Sequence, residues 1–186
     1  MVGAEDVIKI YECLLDHGIP VWLTGGWGID ALLGEQTRPH KDLDVIMLLD
    51  DVVRMRALLA RDGYGLKELW SENSWVVDGQ GVETATAFVL QDSEGRELDV
   101  HAMRLDDQGN GIPDWEAGSL ILATEDLAGE GVIGGIAVQC LSLEMQVMCH
   151  MGYELPEVQL RDLELLHGRF GVELPDDVSP CGSSEA

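Results

Sequence analysis

Two acids set into an apolar strand constrain this chain more than any other feature. Residues Leu43 to Leu49 form a continuous apolar run broken only by Asp44, and Asp42 stands just before it. Such a run, bounded by polar residues, reads as a central strand. Side chains alternate across a strand, so Asp42 and Asp44 share one face while Leu43 and Val45 take the other. Two carboxylates side by side repel, and burying them without compensation is costly. A divalent cation is the natural compensation. Hard, oxygen-seeking Mg²⁺ suits the pair and is commonly completed by substrate phosphates.

A third acid stands in a similar setting, Glu97-Leu98-Asp99-Val100-His101, with His101 on the same face as Asp99. Three aspartates converging from two strands suit two metal ions ~3.5–4 Å apart, the arrangement used for in-line phosphoryl displacement. Upstream, the apolar strand Val21-Trp22-Leu23 runs into Gly25-Gly26 and then a short helix expected over Gly28 to Leu33. Bare backbone N–H groups at a helix start form a cradle for an anion. Each piece alone is weak: a Gly-Gly after a strand is usually a turn, and a lone Asp-x-Asp is usually solvated. The order strand, Gly-Gly, helix, Asp-x-Asp strand, Asp strand is what points to phosphate chemistry.

Charge narrows the partners. The 186 residues carry 35 Asp+Glu against 11 Lys+Arg, a net charge of −24. A duplex nucleic-acid grip needs a basic face, and an anionic membrane would repel this chain. At 46% hydrophobic the chain is too apolar for a disordered acidic tail, so a packed, soluble acidic domain is expected. No stretch approaches the ~20 apolar residues of a membrane span, and the start lacks a signal-peptide pattern. Cys13, Cys140, Cys149 and Cys181 show no paired spacing and the histidines no zinc-finger spacing, which suits reduced thiols in a cytoplasmic protein.

Along the chain, Val7, Ile8, Tyr11, Leu14 and Leu15 mark a first helix, and Val52, Met55, Leu58 and Leu59 a later one. Ser74 to Val77, Thr84 to Leu90 and Glu97 to Met103 read as strands, residues 105–118 as loop, and Gly131 to Leu141 as a hairpin. Ser142 caps a helix burying Leu143, Val147, Met148 and Met151. Pro156 opens a last helix carrying Val158, Leu163, Leu166 and Phe170. The fold class is α+β, a mixed α/β domain with a C-terminal helical layer. A core over 1–141, C-terminal helices over 142–175 and a frayed tail over 176–186 are expected.

Gly-Gly-Trp-Gly-Ile-Asp (25–30), Thr-Arg-Pro-His-Lys-Asp-Leu-Asp-Val (37–45) and Leu-Asp-Val-His (98–101) resemble the nucleotidyltransferase superfamily, whose best-known fold is the catalytic domain of DNA polymerase beta. Within it the chain is most similar to small lincosamide nucleotidyltransferases, then to aminoglycoside nucleotidyltransferases, over about Val21 to Phe170. That resemblance implies a nucleotidyltransferase fold with a mixed sheet flanked by helices. It implies that Asp42 and Asp44 bind Mg²⁺ (two ions) and that Gly25 and Gly26 hold the triphosphate of ATP or another nucleoside triphosphate. Asp99 would complete the metal site or act as general base. Arg38, His40 and Lys41 would contact nucleotide, and His101, His150 and Tyr153 would border the acceptor.

An acceptor hydroxyl would then attack the α-phosphorus and expel pyrophosphate. The negative field favours a small cationic acceptor, such as a lincosamide or an aminoglycoside, with Glu83, Asp92 or Glu94 as partners for an amine. Modification of a protein partner, and a non-catalytic nucleotide-binding module, are the alternative readings. A homodimer is left open. Trp27 is expected in the core and Asp30 in a structural hydrogen bond, while Trp70, Trp75 and Trp115 are aromatics of the kind that stack on sugars.

Overall fold

The computed structural model describes residues 1–115, 120–151 and 154–174. Helix α1 (Ala4–Asp16) starts where Asp6 accepts the Gly3 N–H at 2.9 Å, and it buries Val7, Ile10, Tyr11 and Leu14. Leu15 falls on its outer face and is exposed. Strand β1 (Val21–Thr24) passes directly into α2 (Gly25–Leu33). The helix thus begins three residues earlier than the sequence pattern indicates, because Gly25 makes the turn at φ +58° with no loop. Gly34, at φ +77°, closes it as a left-handed cap.

Strand β2 (Asp42–Leu48) leads through a short 3₁₀ turn into α3 (Val52–Leu59). The β meander follows: β3 (Gly65–Leu69), β4 (Trp75–Val77), β5 (Glu83–Ala85), β6 (Ala87–Gln91) and β7 (Glu97–Leu105). The expected strand over Thr84 to Leu90 splits at Thr86, whose amide and hydroxyl both bond the segment Asn73-Ser74. Within the expected loop 105–118, Gly111–Pro113 forms β8 against β7. The chain ends in the hairpin β9 (Gly129–Ile133) and β10 (Ile136–Cys140), then α4 (Leu143–Met148) and α5 (Glu157–Phe170).

The main sheet runs β3-β6-β7-β2-β1-β10-β9, with β8 on β7, and β4-β5 form a separate hairpin. The sheet is mixed: β2 lies parallel to β7 and β1 parallel to β10, and the other pairs are antiparallel. As expected, β2 is central. Its Leu43, Val45 and Met47 face the main core with residues of α1 and α3. Its other face carries Asp42, Asp44 and then Ile46, which joins a second cluster with Trp22, Met103 and Met145.

A third cluster joins Ile29 of α2 to Val147 of α4 and to Leu163 and Leu166 of α5, so both C-terminal helices pack on α2. The Ser142 hydroxyl accepts the Met145 N–H at 3.2 Å, the expected cap. The buried face of α4 differs from the expectation: Met145, Gln146 and Val147 are buried, whereas Met148 and Met151 are exposed because the helix ends at Met148. Val158 and Phe170 of α5 are also exposed, and Pro156 is the cap residue rather than part of the first turn. Among the described residues no disulfide forms, and no helix is long and apolar enough to cross a membrane. Cys181 and the expected tail lie outside the described residues.

Candidate active site

The parallel pairing of β2 and β7 sets Asp44 opposite Asp99, Asp42 opposite Glu97 and Ile46 opposite His101. Asp44 also pairs with Thr24, the last residue before the Gly-Gly turn. A cleft of about 650 Å³ opens here, and Gly25, Gly26, Arg38, His40, Asp42 and Asp44 all line it. With His101 and His150, eight predicted site residues therefore line one cleft.

The two glycines are dictated by what leans against them. A Cβ on Gly25 would stand 2.4 Å from the Asp44 Oδ2, at a φ that other residues avoid. A Cβ on Gly26 would stand 2.3 Å from His40 Nδ1 and 2.8 Å from Arg38 Nη2. The start of α2 is thus bare backbone, with Asp44 on one side and two cationic or ring side chains on the other.

His40 is buried and hydrogen-bonds Asp30 through Nε2; Asp30 also accepts the Thr37 hydroxyl at 2.6 Å. A carboxylate only accepts, so Nε2 carries the hydrogen and Nδ1 is turned to Gly26. Trp27, buried as expected, packs against the His40 ring at a tilt of 43°, with ring centroids 4.6 Å apart. Arg38 is gripped by Asp162 of α5, Nε at 3.0 Å from both carboxylate oxygens and Nη2 at 2.7 Å. That hydrogen bonding raises its pKa. Lys41 does not line the cleft: its ammonium lies 3.0 Å from Glu97, which also takes Lys67 at 3.0 Å.

The electrostatics single out Asp42 and Asp44. Burial pushes the Asp44 carboxyl well above the usual carboxylate range, and the charges of Asp42 and Asp99 push it further. Burial raises Asp42 too, Lys41 lowers it, and Asp99 and Glu97 raise it. Among the described residues no hydrogen bond or salt bridge reaches the Asp44 carboxylate, and the ammonium nearest Asp42 is 3.9 Å away. By contrast Glu97, although burial opposes it, is held below the usual range by Lys67 and Lys41. Uncompensated, half-buried carboxylates on the floor of a cleft are a donor set that fits a hard divalent cation. Among the described residues no three acids, histidines or cysteines converge into a closed cage, which suits an ion finished by water and phosphate oxygens.

Unlike Asp42 and Asp44, Asp99 does not line the cleft and is nearly covered. Trp70 donates Nε1–H to its Oδ1 at 2.9 Å, and His101 Nδ1 lies 3.3 Å from the same oxygen. His101 lines the cleft, as does His150, whose Nδ1 donates to the Gln146 carbonyl at 2.7 Å. Tyr153 lies outside the described residues. Glu83, Asp92 and Glu94 do not line the cleft, and Asp92 is taken by Arg96 at 2.6 Å.

Sequence reasoning missed three residues. Gln146, fully buried, donates to the Leu23 carbonyl at 3.1 Å and accepts the Thr24 hydroxyl at 3.3 Å, fastening α4 to the turn. Asp162 fixes Arg38. Glu72 lines the cleft beside His101; burial would raise its carboxyl, but hydrogen bonds from its own backbone, Ser71 and His101 hold it below the usual range. No local pattern marks any of them, since their partners are distant in sequence.

Comparison with known proteins gives the family and the fold. The family described as aminoglycoside-2''-adenylyltransferase matches residues 6–166. A lincosamide resistance protein of Staphylococcus haemolyticus is 27% identical over 165 residues, covering 89% of this chain and 94% of the relative. A 2''-aminoglycoside nucleotidyltransferase of Escherichia coli is 28% identical over 152 residues, covering 81% of this chain and 75% of the relative. The crystal structure of the lincosamide antibiotic adenylyltransferase LnuA with lincomycin bound superposes with a TM-score of 0.73 at 26% identity, covering 89% of this chain and 96% of that one. The structure of ANT(2'')-Ia with adenylyl-2''-tobramycin shares the fold, with a TM-score of 0.66 at 20% identity over 89% of this chain and 88% of that one.

Proposed function

The chain belongs to the aminoglycoside-2''-adenylyltransferase family, and from that premise we propose that it is a Mg²⁺-dependent O-nucleotidyltransferase. It moves AMP from ATP to a hydroxyl of a small cationic antibiotic, a lincosamide or an aminoglycoside, and releases pyrophosphate. The observation that carries this reading is the contact of Asp44 with the bare Gly25-Gly26 start of α2. That contact supports a triphosphate site beside a metal site.

Asp42 and Asp44 hold the metal, which when bound neutralises phosphate oxygens and polarises the phosphorus under attack. The amides of Gly25 and Gly26 face the triphosphate at the positive end of α2. Arg38, fixed by Asp162, presents its guanidinium above the same turn, and His40, fixed by Asp30, turns its Nδ1 to it. Lys41, engaged by Glu97 outside the cleft wall, would act on nucleotide only through the field it sets at Asp42.

Asp99 is read as the general base rather than the third metal ligand. Its Oδ1 is engaged by Trp70 and His101 and it does not line the cleft, so Oδ2 takes the proton of the acceptor hydroxyl through one water. The oxygen so activated attacks the α-phosphorus, the bond to the bridging oxygen breaks, and pyrophosphate leaves. Catalysis of this kind rests on positioning and charge neutralisation, which the fixed pairs around the turn supply.

The test is incubation with ATP, Mg²⁺ and a panel of lincosamides and aminoglycosides, read by pyrophosphate release and by the mass of the acceptor. One nucleotide added to an acceptor supports the reading. Nucleotide found on a protein and on no small molecule overturns it.

A further inference from the structure

We propose that Glu72 is the anchor for an ammonium group of the acceptor, and that the cleft takes an acceptor with one cationic amine on a largely apolar body. This rests on the nucleotidyltransferase reading above.

Three carboxylates line the cleft among the described residues: Asp42, Asp44 and Glu72. The first two sit by the Gly-Gly turn. Glu72 sits at the level of the Ile46–His101 pair, one two-residue repeat from the Asp44–Asp99 pair, or ~7 Å along the strand. Its Oε1 lies 3.5 Å from His101 Nε2. A donor at Asp42 and Asp44 thus leaves Glu72 facing the far side of the reacting centre.

The loop that carries Glu72 is fixed at both ends. Trp70 bonds Asp99 at 2.9 Å, and the Asn73 side-chain oxygen accepts the amides of Thr86 and Ala87 at 2.9 and 3.1 Å. Although its side chain is 41% exposed, Glu72 is carried on a pinned loop, which partly preorganises the charge. No lysine or arginine pairs with it among the described residues: Lys67 goes to Glu97 and Glu68, and Arg104 to Asp114. Beside it Trp115 meets the His101 ring edge-on at 5.0 Å, an aromatic face suited to an alkylammonium.

One side of the wall is apolar. Met148 and Met151 line the cleft with 52% and 48% of their surface exposed, and Leu120 lines it with them. Exposed methionines are adaptable apolar contacts and offer a polycation nothing. Among the described residues one carboxylate apart from the metal pair, next to a methionine shelf, matches one amine next to an alkyl or ring surface.

The probes are lincomycin, which has one basic amine, its uncharged N-demethyl-N-acetyl derivative, and tobramycin, a polycation. Glu72→Gln should raise KM for lincomycin about tenfold or more, from the loss of a charge-assisted contact. KM for ATP should hold, as should KM for the uncharged derivative, and Glu72→Asp should fall between. An unchanged lincomycin KM, an equal loss for the uncharged derivative, or a change in kcat alone overturns the anchor. A kcat/KM for tobramycin at or above that for lincomycin overturns the one-amine cleft. If no acceptor is modified, the reading of the reaction fails, and calorimetry of lincomycin binding decides the anchor. Binding weakened in Glu72→Gln supports it, and equal or absent binding to the unsubstituted protein overturns it.

Discussion

Asp44 of β2 lies directly opposite Asp99 of β7 in a parallel ladder, with its own carboxylate against the start of α2. Of the two carboxylates, Asp99 has hydrogen-bond partners in the protein and Asp44 has none among the described residues.

It follows that Asp44→Asn should separate activity from stability. Turnover should fall at least about 100-fold, because a metal-binding charge at the reacting centre is lost. The metal-free protein should melt higher, since an uncompensated buried charge is removed. The sign with pH is fixed: a carboxyl whose native pKa is raised weakens the fold fully above that pKa, and the penalty fades as pH falls through it toward the unfolded value. The gain in Tm should therefore be larger at pH 8 than at pH 5, as calorimetry of both proteins will record.

The same charges predict a metal effect on the protein alone. Mg²⁺ with ATP should raise the Tm of the unsubstituted chain, by the linkage of ligand to native state, and chelation should reverse the rise. Asp42→Asn combined with Asp44→Asn should flatten that response. An equal shift in the double variant, measured by differential scanning fluorimetry, places the ion elsewhere.

Gly26→Ala should be damaging where Gly168→Ala is harmless. The first puts a methyl 2.3 Å from His40 Nδ1 and 2.8 Å from Arg38, so ATP binding should weaken markedly. The second, inside α5, meets nothing within 4 Å and should stabilise by about 0.5 kcal/mol through helix propensity. Nucleotide titration and thermal melts of both variants check the contrast.

The Arg38–Asp162 pair is asymmetric, and so should be its removal. Asp162 is 2% exposed at its side chain and Arg38 is 24%. Arg38→Ala strands a buried carboxylate and should cost about 2–4 kcal/mol, a range discounted for the partly exposed partner. Asp162→Asn leaves a cation that can reach water, and should cost less. Urea unfolding of the two variants gives the order directly.

How much of this was legible beforehand depends on range. That Asp42 and Asp44 share one face of a strand, and that Asp99 lies in another strand, could be read because period-two alternation and short apolar flanks are local properties of the chain. That Gly25 and Gly26 precede a helix was equally local. What presses on Gly26 was not, because His40 and Arg38 fold back over it and are held by Asp30 and Asp162. Gln146 and Glu72 were invisible for the same reason: one acts on β1 across 123 positions, and the other reaches the cleft through a loop pinned by Trp70. Met148 and Met151 misled through helical spacing, since α4 stops at Met148 and its end turns toward the cleft. Lys41 adjoins Asp42 in sequence, yet its ammonium is drawn to Glu97.

The most direct measurement is the mass of the acceptor after reaction with ATP and Mg²⁺, made in parallel with the unsubstituted protein, Asp44→Asn and Asp99→Asn, each shown to be folded. The account predicts one AMP per acceptor and matching pyrophosphate for the unsubstituted protein, abolished by chelation and by Asp44→Asn, and strongly reduced in Asp99→Asn. Undiminished adduct in Asp44→Asn, or no adduct with any lincosamide or aminoglycoside, would contradict it.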